Sequence, residues 1–245
     1  QSHRFVVADQ EYGKFPVEFT AGADTDNGKL EVNVTDGACF VGTVSLMPKD
    51  NIEGMRSDTL AALKELNAPL YRWPGGNFVS GYDWRDGIGD RDKRPPRKNP
   101  AWTGVEHNDF GMHEFIRFCR ILEAEPLITV NTGFGDAYSA AAELEYSNGS
   151  TDTLMGALRA SHGDPEPFNV RFWCIGNEMW GRWQLGYMSL GHYVQKHNWV
   201  VDKMREVDPN IIPIASGNAG RWSEGLLQNC SDHIDLIAEH FYCQE

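Results

Sequence analysis

The sequence predicts a mixed α/β fold: a partial (β/α)8 TIM barrel preceded by the C-terminal strands of a β-sandwich. Short β-type runs about ten residues apart fill the first 47 residues, with Asp, Gly and Asn turns between them. From Pro48 onward, strand and helix patterns alternate, which predicts a parallel sheet. We therefore expect two domains, a partial β-sandwich at 1–47 and a partial barrel at 48–245.

The predicted sandwich strands are 4–7, 15–19, 30–34 and 39–46. Four strands are too few to close a sandwich of two sheets. We expect them to be the second half of a sandwich whose first strands lie upstream of Gln1.

The predicted barrel strands are 69–75, 127–132, 170–176, 211–216 and 235–242, with helical patterns at 56–66, 115–122, 137–146, 193–204 and 222–227. A Rossmann sheet is the competing architecture, but no strand exit carries GxGxxG or GxxxxGK[ST]. Eight strands close a barrel and the pattern gives five, so we expect three to lie outside this chain or the barrel to be open.

Composition narrows the possible partners. The formal net charge of −13 over 245 residues disfavours nucleic-acid binding, which needs a clustered basic surface. No apolar run approaches the roughly 20 residues that span a bilayer. Five widely spaced cysteines show no metal-binding pattern, so we expect buried free thiols and no metal.

The run from Val170 to Glu178 organises the chain. Its first six residues carry one charge, as expected for a buried parallel strand, and Gly176 lets the backbone turn away from the sheet. Asn177 and Glu178 then lie at the carboxyl edge, where barrels hold their catalytic groups. A helix N-cap with a first-turn acid is the alternative interpretation of this pair.

The loop after Glu178 favours a sugar site. It supplies two indoles (Trp180 and Trp183), a guanidinium and an amide within six residues. Flat apolar rings beside polar groups match the apolar CH faces and hydroxyl edges of a sugar. Trp183 is therefore a candidate sugar contact.

Other strand exits also end in polar groups. Those groups are Asn77, Asn131, Asn218, and His240 with Tyr242. His240 and Tyr242 are two residues apart and so share a face. A single exit Asn is ordinarily a turn residue, but recurrence at successive exits favours a shared polar pocket.

Several motifs together resemble a known family. They are Tyr71-Arg-Trp-Pro-Gly-Gly-Asn-Phe78, Tyr82-Asp-Trp-Arg-Asp-Gly-Ile-Gly89, Trp102 with Val105-Glu-His-Asn108-Asp-Phe-Gly111, Glu114-Phe115, Gly176-Asn-Glu178, Trp183-Gln184 and His240-Phe-Tyr242. In this order and spacing they resemble the α-L-arabinofuranosidases of glycoside hydrolase family 51, from about Pro48 to the last residue. The first 47 residues resemble the end of a carbohydrate-binding-type sandwich that some members insert into the barrel.

The resemblance implies a retaining glycoside hydrolase built on a (β/α)8 barrel. It implies that Glu178 is the acid/base and that Asn177 holds the sugar 2-hydroxyl. By the same matching, Asn77, Trp102, His240 and Tyr242 line the furanose subsite. Tyr187 stands where the family commonly has His, which leaves the role of that loop position open.

The resemblance also implies that the nucleophile is not in this chain. Family members place their nucleophilic Glu on the strand after His-Tyr-Tyr, whereas this chain stops at Glu245. Glu239 alternates away from the face that His240 and Tyr242 share. We therefore expect an internal segment of a longer enzyme, inactive alone.

Acid catalysis and nucleophilic attack by carboxyl groups imply no cofactor. We expect the pKa of Glu178 to be raised by apolar surroundings and a nearby carboxylate. The expected partner is an arabinose-containing oligo- or polysaccharide, with no nucleic acid and no membrane. A homo-oligomer of the full-length protein stays open, and a secreted or periplasmic location is favoured over a cytoplasmic one. The alternatives are another retaining glycosidase of the same clan, a xylosidase or endoglucanase, and a non-catalytic sugar-binding fragment.

Overall fold

The computed structural model describes residues 2–8, 10–42 and 44–243. The chain divides into two compact units, Gln1–Ala62 and Leu63–Glu245, and helix α1 (Ser57–Leu66) crosses the boundary between them. The boundary drawn from sequence lies earlier, before Pro48. The assignment of 1–47 to a β-sandwich stays a prediction.

The four strands expected before Met47 are not formed in the described residues. Segments 2–8, 10–42 and 44–47 contain bends and irregular backbone, and Thr43, inside the fourth expected strand, lies outside the described residues. Large apolar side chains there, including Val6, Phe40 and Leu46, are exposed. An alternating run becomes a strand only when another strand satisfies its backbone N–H and C=O groups, and no such pairing is present in these segments.

The second unit contains the parallel sheet that the alternating pattern predicts. Its strands are β1 (Leu70–Trp73), β4 (Glu125–Val130), β5 (Phe172–Ile175), β6 (Ile212–Ser216) and β7 (Leu236–Ala238), hydrogen-bonded in the order β1-β4-β5-β6-β7 with every pair parallel. A short antiparallel pair, β2 (Arg97–Lys98) and β3 (Val105–Glu106), lies in the connection after β1. Strand order follows chain order, as in a partial (β/α)8 barrel.

The helices between the strands are α2 (Met112–Leu122), α3 (Ala137–Asn148), α4 (Leu154–Ser161), α5 (Leu190–Val207) and α6 (Arg221–Asn229). Four of these five match the predicted patterns, and α4 was not predicted. It has only eight residues, contains Gly156 and exposes Leu154, so its apolar periodicity is weak. Thr153 caps its N-terminus by accepting a hydrogen bond from the Gly156 N–H.

Side chains alternate between two faces of the sheet. Ile128, Val130, Trp173 and Ile175 pack into the largest hydrophobic cluster, whose helical members include Phe115, Leu144 and Val200. On the opposite face, Leu127, Cys174 and Ile214 form a smaller cluster. Strand β5 is therefore buried on both faces, as its nearly uncharged sequence predicts.

The sheet is strongly curved. Arg72 on β1 and His240 just after β7 belong to opposite edges, yet Arg72 Nη1 lies 3.3 Å from His240 Nε2. In a flat sheet these strands would lie four spacings apart, about 19 Å, which is more than the two side chains span. The contact therefore requires barrel-like curvature, with Arg72 and His240 on the concave face.

A hydrogen-bonded polar series with a buried centre at His113 and Tyr146 links α2, α3 and the segment after α4. His113 Nδ1 bonds Asp164 Oδ2 at 2.6 Å, and the Tyr146 hydroxyl lies 2.6 Å from His113 Nε2 and 2.7 Å from His162 Nδ1. The Asp164 carboxylate accepts from His113 Nδ1–H, so Nε2 accepts from Tyr146, whose oxygen accepts from His162. Burial lowers the pKa of His113, which favours this neutral arrangement.

Replacing Tyr146 with Phe should destabilise the fold by about 1–3 kcal/mol, because the buried His113 Nε2 and the half-buried His162 Nδ1 lose their partner. Urea unfolding measures the change. Tyr138→Phe is the matched control, since Tyr138 is 64% exposed on the same helix, and it should change stability by less than about 0.5 kcal/mol. Equal stability of Tyr146→Phe and the wild type would show that the hydrogen bonds of the Tyr146 hydroxyl contribute nothing to the stability of the fold.

Candidate active site

The candidate site lies at the carboxyl edge of the sheet and is built around Glu178. Strand β5 ends at Ile175, and Gly176 turns the backbone with φ +87°. A Cβ at Gly176 would clash with Thr132 Oγ1, so both its conformation and its surroundings require glycine. Glu178 itself has φ +44°, an uncommon conformation for a non-glycine residue that is often met at functional sites.

Three donors surround the Glu178 carboxylate. His240 Nδ1 lies 2.6 Å from Oε1, Trp183 Nε1 donates to Oε2 at 2.7 Å, and the Tyr242 hydroxyl donates to Oε1 at 3.3 Å. Glu178 is only 7% exposed. His240 and Tyr242 both contact Glu178 Oε1 and so share a face, although the strand expected at 235–242 ends at Ala238 and both residues lie in irregular backbone after it.

The pKa of Glu178 is lowered, so the expectation of a raised value is wrong for this chain. Burial acts to raise the pKa, but hydrogen bonds from His240 and then Trp183 favour the charged form and outweigh it. The expectation counted the apolar surroundings and a neighbouring carboxylate. The donors that reverse the sign are not visible as partners of Glu178 in the sequence.

Trp183→Phe should raise the pKa of Glu178, because the carboxylate loses its indole donor. A carboxyl group with a lowered folded pKa stabilises the fold above its unfolded pKa, and this stability is lost as the pH falls through the folded value. The Trp183→Phe substitution should therefore reduce the part of the unfolding free energy that is lost between neutral and acidic pH. Carbon-13 NMR titration of the Glu carboxyl groups measures the shift.

Trp199→Phe, on the exposed side of α5, is the control for that titration. It should leave the Glu178 pKa unchanged. If Trp183→Phe also left it unchanged, the indole hydrogen bond would not be setting the charge state of Glu178.

Asn177 is fixed by two opposite partners. Its Oδ1 accepts from Arg72 Nη2 at 2.9 Å, and its Nδ2 donates to Gln184 Oε1 at 3.0 Å. Sequence reasoning did not assign Arg72 to the site. The available signal was a charged residue between Tyr71 and Trp73 on a barrel strand, on the face opposite to those two rings.

Asn77 and Trp102 lie next to this cluster without contacting Glu178. Asn77 donates to the Trp183 carbonyl at 2.8 Å and accepts from the Leu185 N–H at 2.7 Å, so its amide braces the loop after Glu178. Trp102 is 57% exposed and stacks on Phe78 with ring centroids 6.4 Å apart. Trp102 also lies against Gly76, where a Cβ would approach its ring to 3.0 Å.

Two strand exits have other roles. Asn131 caps its own turn, because its side-chain oxygen accepts from the Phe134 and Gly135 N–H groups. Glu239 accepts a hydrogen bond from Ser223 Oγ, on the α6 side. The structure thus joins Glu178, Asn177, Trp183, His240 and Tyr242 in one network, with Arg72 and Gln184 added.

Within the described part of the chain, no helix is long and apolar enough to cross a membrane, and no group of three His, Cys, Asp or Glu side chains is arranged to hold a metal ion.

The fold and site define a barrel-type α/β domain with one buried carboxylate amid aromatic and amide groups at its carboxyl edge. Residues 62–245 match the model of the alpha-L-arabinofuranosidase 1 domain. The chain belongs to that family.

Full-length relatives agree with this assignment. A probable alpha-L-arabinofuranosidase C of Aspergillus terreus is 37% identical over 230 residues, covering 91% of this chain and 46% of the relative. An intracellular exo-alpha-(1->5)-L-arabinofuranosidase of Streptomyces lividans is 38% identical over 204 residues, covering 80% and 31%. This chain therefore spans less than half of either relative.

A solved structure supports the fold. The alpha-L-arabinofuranosidase of Thermotoga maritima, in an arabinose complex, matches with a TM-score of 0.78 and 45% identity. The match covers 81% of this chain and 41% of that one.

Proposed function

We propose that this chain carries the acid/base part of the active site of a retaining α-L-arabinofuranosidase, which removes arabinofuranosyl groups from plant polysaccharides or oligosaccharides. The observation that carries the proposal is the buried Glu178 carboxylate, held by His240, Trp183 and Tyr242 at the carboxyl edge of the sheet. Family membership and the names of the relatives support the arabinofuranoside as substrate.

Glu178 acts in both halves of the proposed reaction. As an acid it protonates the leaving oxygen, and as a base it then activates the water that releases the sugar. Retention requires a second carboxyl group about 5–5.5 Å away, and the absence of that nucleophile from this chain stays a prediction. A second negative charge so close would raise the Glu178 pKa and oppose the three donors that lower it here.

The remaining groups bind the sugar in this proposal. Asn177 contacts the 2-hydroxyl, while Trp102 and Trp183 offer exposed indole faces to the apolar side of the substrate. His240 and Tyr242 complete the furanose subsite and orient Glu178. Asn77 contributes by fixing the loop that carries Trp183.

Hydrolysis of an aryl α-L-arabinofuranoside by the full-length enzyme, compared with an aryl xyloside, tests the substrate class.

In the full-length enzyme Glu178→Ala should slow turnover about 10²–10⁴-fold, because the leaving group loses its acid. The loss should be smallest for good leaving groups, and azide should restore activity on those. Steady-state kinetics with and without azide measures both effects.

Glu224→Ala is the matched control, since Glu224 is exposed in the first turn of α6. It should keep wild-type turnover. Wild-type rates on a natural arabinoside from the Glu178→Ala enzyme would remove Glu178 from the mechanism.

Asn177→Ala should lower kcat more than it raises KM, because hydrogen bonds to the 2-hydroxyl strengthen as the oxocarbenium-like transition state forms. Separate determination of kcat and KM on an aryl arabinofuranoside shows which changes. A change in KM alone would make Asn177 a ground-state contact.

A further inference from the structure

We propose that Gln184 is a positioning residue that fixes the amide of Asn177 for sugar recognition and links it through Ser80 to the short 3₁₀ helix Asn77–Gly81, here called the 77–81 turn. The inference rests on the proposed function, because it concerns the same sugar site. It assigns a role to a residue that has no direct bond to Glu178.

Donor and acceptor can be assigned for each hydrogen bond in the series from Arg72 through Asn177 and Gln184 to Ser80. Arg72 can only donate, so the Asn177 atom that faces it at 2.9 Å is the carbonyl oxygen. The Asn177 NH₂ group must then face Gln184 and donates to its Oε1 at 3.0 Å. The Gln184 NH₂ group in turn donates to Ser80 Oγ at 2.7 Å. One guanidinium thereby sets the orientation of both amides.

Burial makes this orientation costly to change. Asn177 and Gln184 are each 2% exposed, and Ser80 is 0% exposed. A flip of either amide would bring two donors or two acceptors together without water to replace the lost bonds. Asn177 is therefore held with one lone pair on Oδ1 and one N–H on Nδ2 left for a ligand.

The same loop is fixed on both sides of Gln184. Asn77, in the 77–81 turn, bonds the backbone of Trp183 and Leu185, and Ser80 of that turn bonds the Gln184 side chain. One short segment thus fixes the loop and the Gln184 side chain, which accepts the hydrogen bond of the Asn177 amide that Arg72 orients. Gln184 itself does not bond Glu178, so removal of its side-chain amide would disturb the sugar contact of Asn177 while the Trp183 hydrogen bond to Glu178 stays in place.

The test is a double-mutant cycle in the full-length enzyme, with kcat and KM measured on an aryl α-L-arabinofuranoside. Gln184→Met keeps the side-chain length but removes the acceptor, so kcat should fall about tenfold to a hundredfold with a smaller change in KM, the loss expected from a misplaced contact. The double variant with Asn177→Ala should be no slower than Asn177→Ala alone. Gln195→Met, exposed on α5, is the matched control and should behave as wild type.

Ser80→Ala is the second variant in case Gln184→Met fails to fold, because it removes the Gln184–Ser80 hydrogen bond and a long contact to Met179 Sδ but keeps the Gln184 side chain. It should give a smaller fall in kcat that also disappears in the Asn177→Ala background. Two outcomes would overturn the inference while the wild-type enzyme stays active. One is a double variant whose fall in kcat is the product of the falls in the Asn177→Ala variant and its partner variant; the other is a wild-type kcat in both Gln184→Met and Ser80→Ala. A wild-type enzyme that does not hydrolyse arabinofuranosides would overturn the proposed function itself, and the inference with it.

Discussion

The binding of one carboxylate by donors from two strand exits is the interaction on which the candidate site depends. Trp183 comes from the loop after β5, whereas His240 and Tyr242 follow β7, two places along the sheet. These groups meet at Glu178 only because the five strands of the main sheet are parallel and that sheet is curved. The fold therefore creates the site by bringing strand ends together.

Arg72 extends this arrangement across the concave face. It donates to Asn177 and faces His240 Nε2, so it contacts the exits of both β5 and β7 from β1. Because Arg72 can only donate, His240 Nε2 accepts and the ring proton that faces Glu178 is on Nδ1. The Arg72 guanidinium thus sets the orientation of the Asn177 and Gln184 amides on one side of the site and the tautomer of the His240 imidazole on the other.

Local patterns were enough to predict the sheet and the exit positions of Asn177 and Glu178. These features follow from periodicity and from the parallel order of the strands. The roles of Arg72 and Gln184 and the lowered pKa of Glu178 were not predictable, because they depend on partners far away in sequence. The expected strands before Met47 failed for a related reason: a β pattern gives no information about whether a hydrogen-bonding partner is present.

The central claim is that Glu178 and Asn177 face the same arabinofuranosyl unit. A crystal structure of the full-length Glu178→Gln enzyme with an arabinofuranoside tests it most directly. We expect the residue 178 amide within hydrogen-bond distance of the glycosidic oxygen, about 2.6–3.2 Å, and the Asn177 amide at a similar distance from the 2-hydroxyl. A sugar bound elsewhere, or in this pocket with its glycosidic oxygen turned away from residue 178, would contradict it.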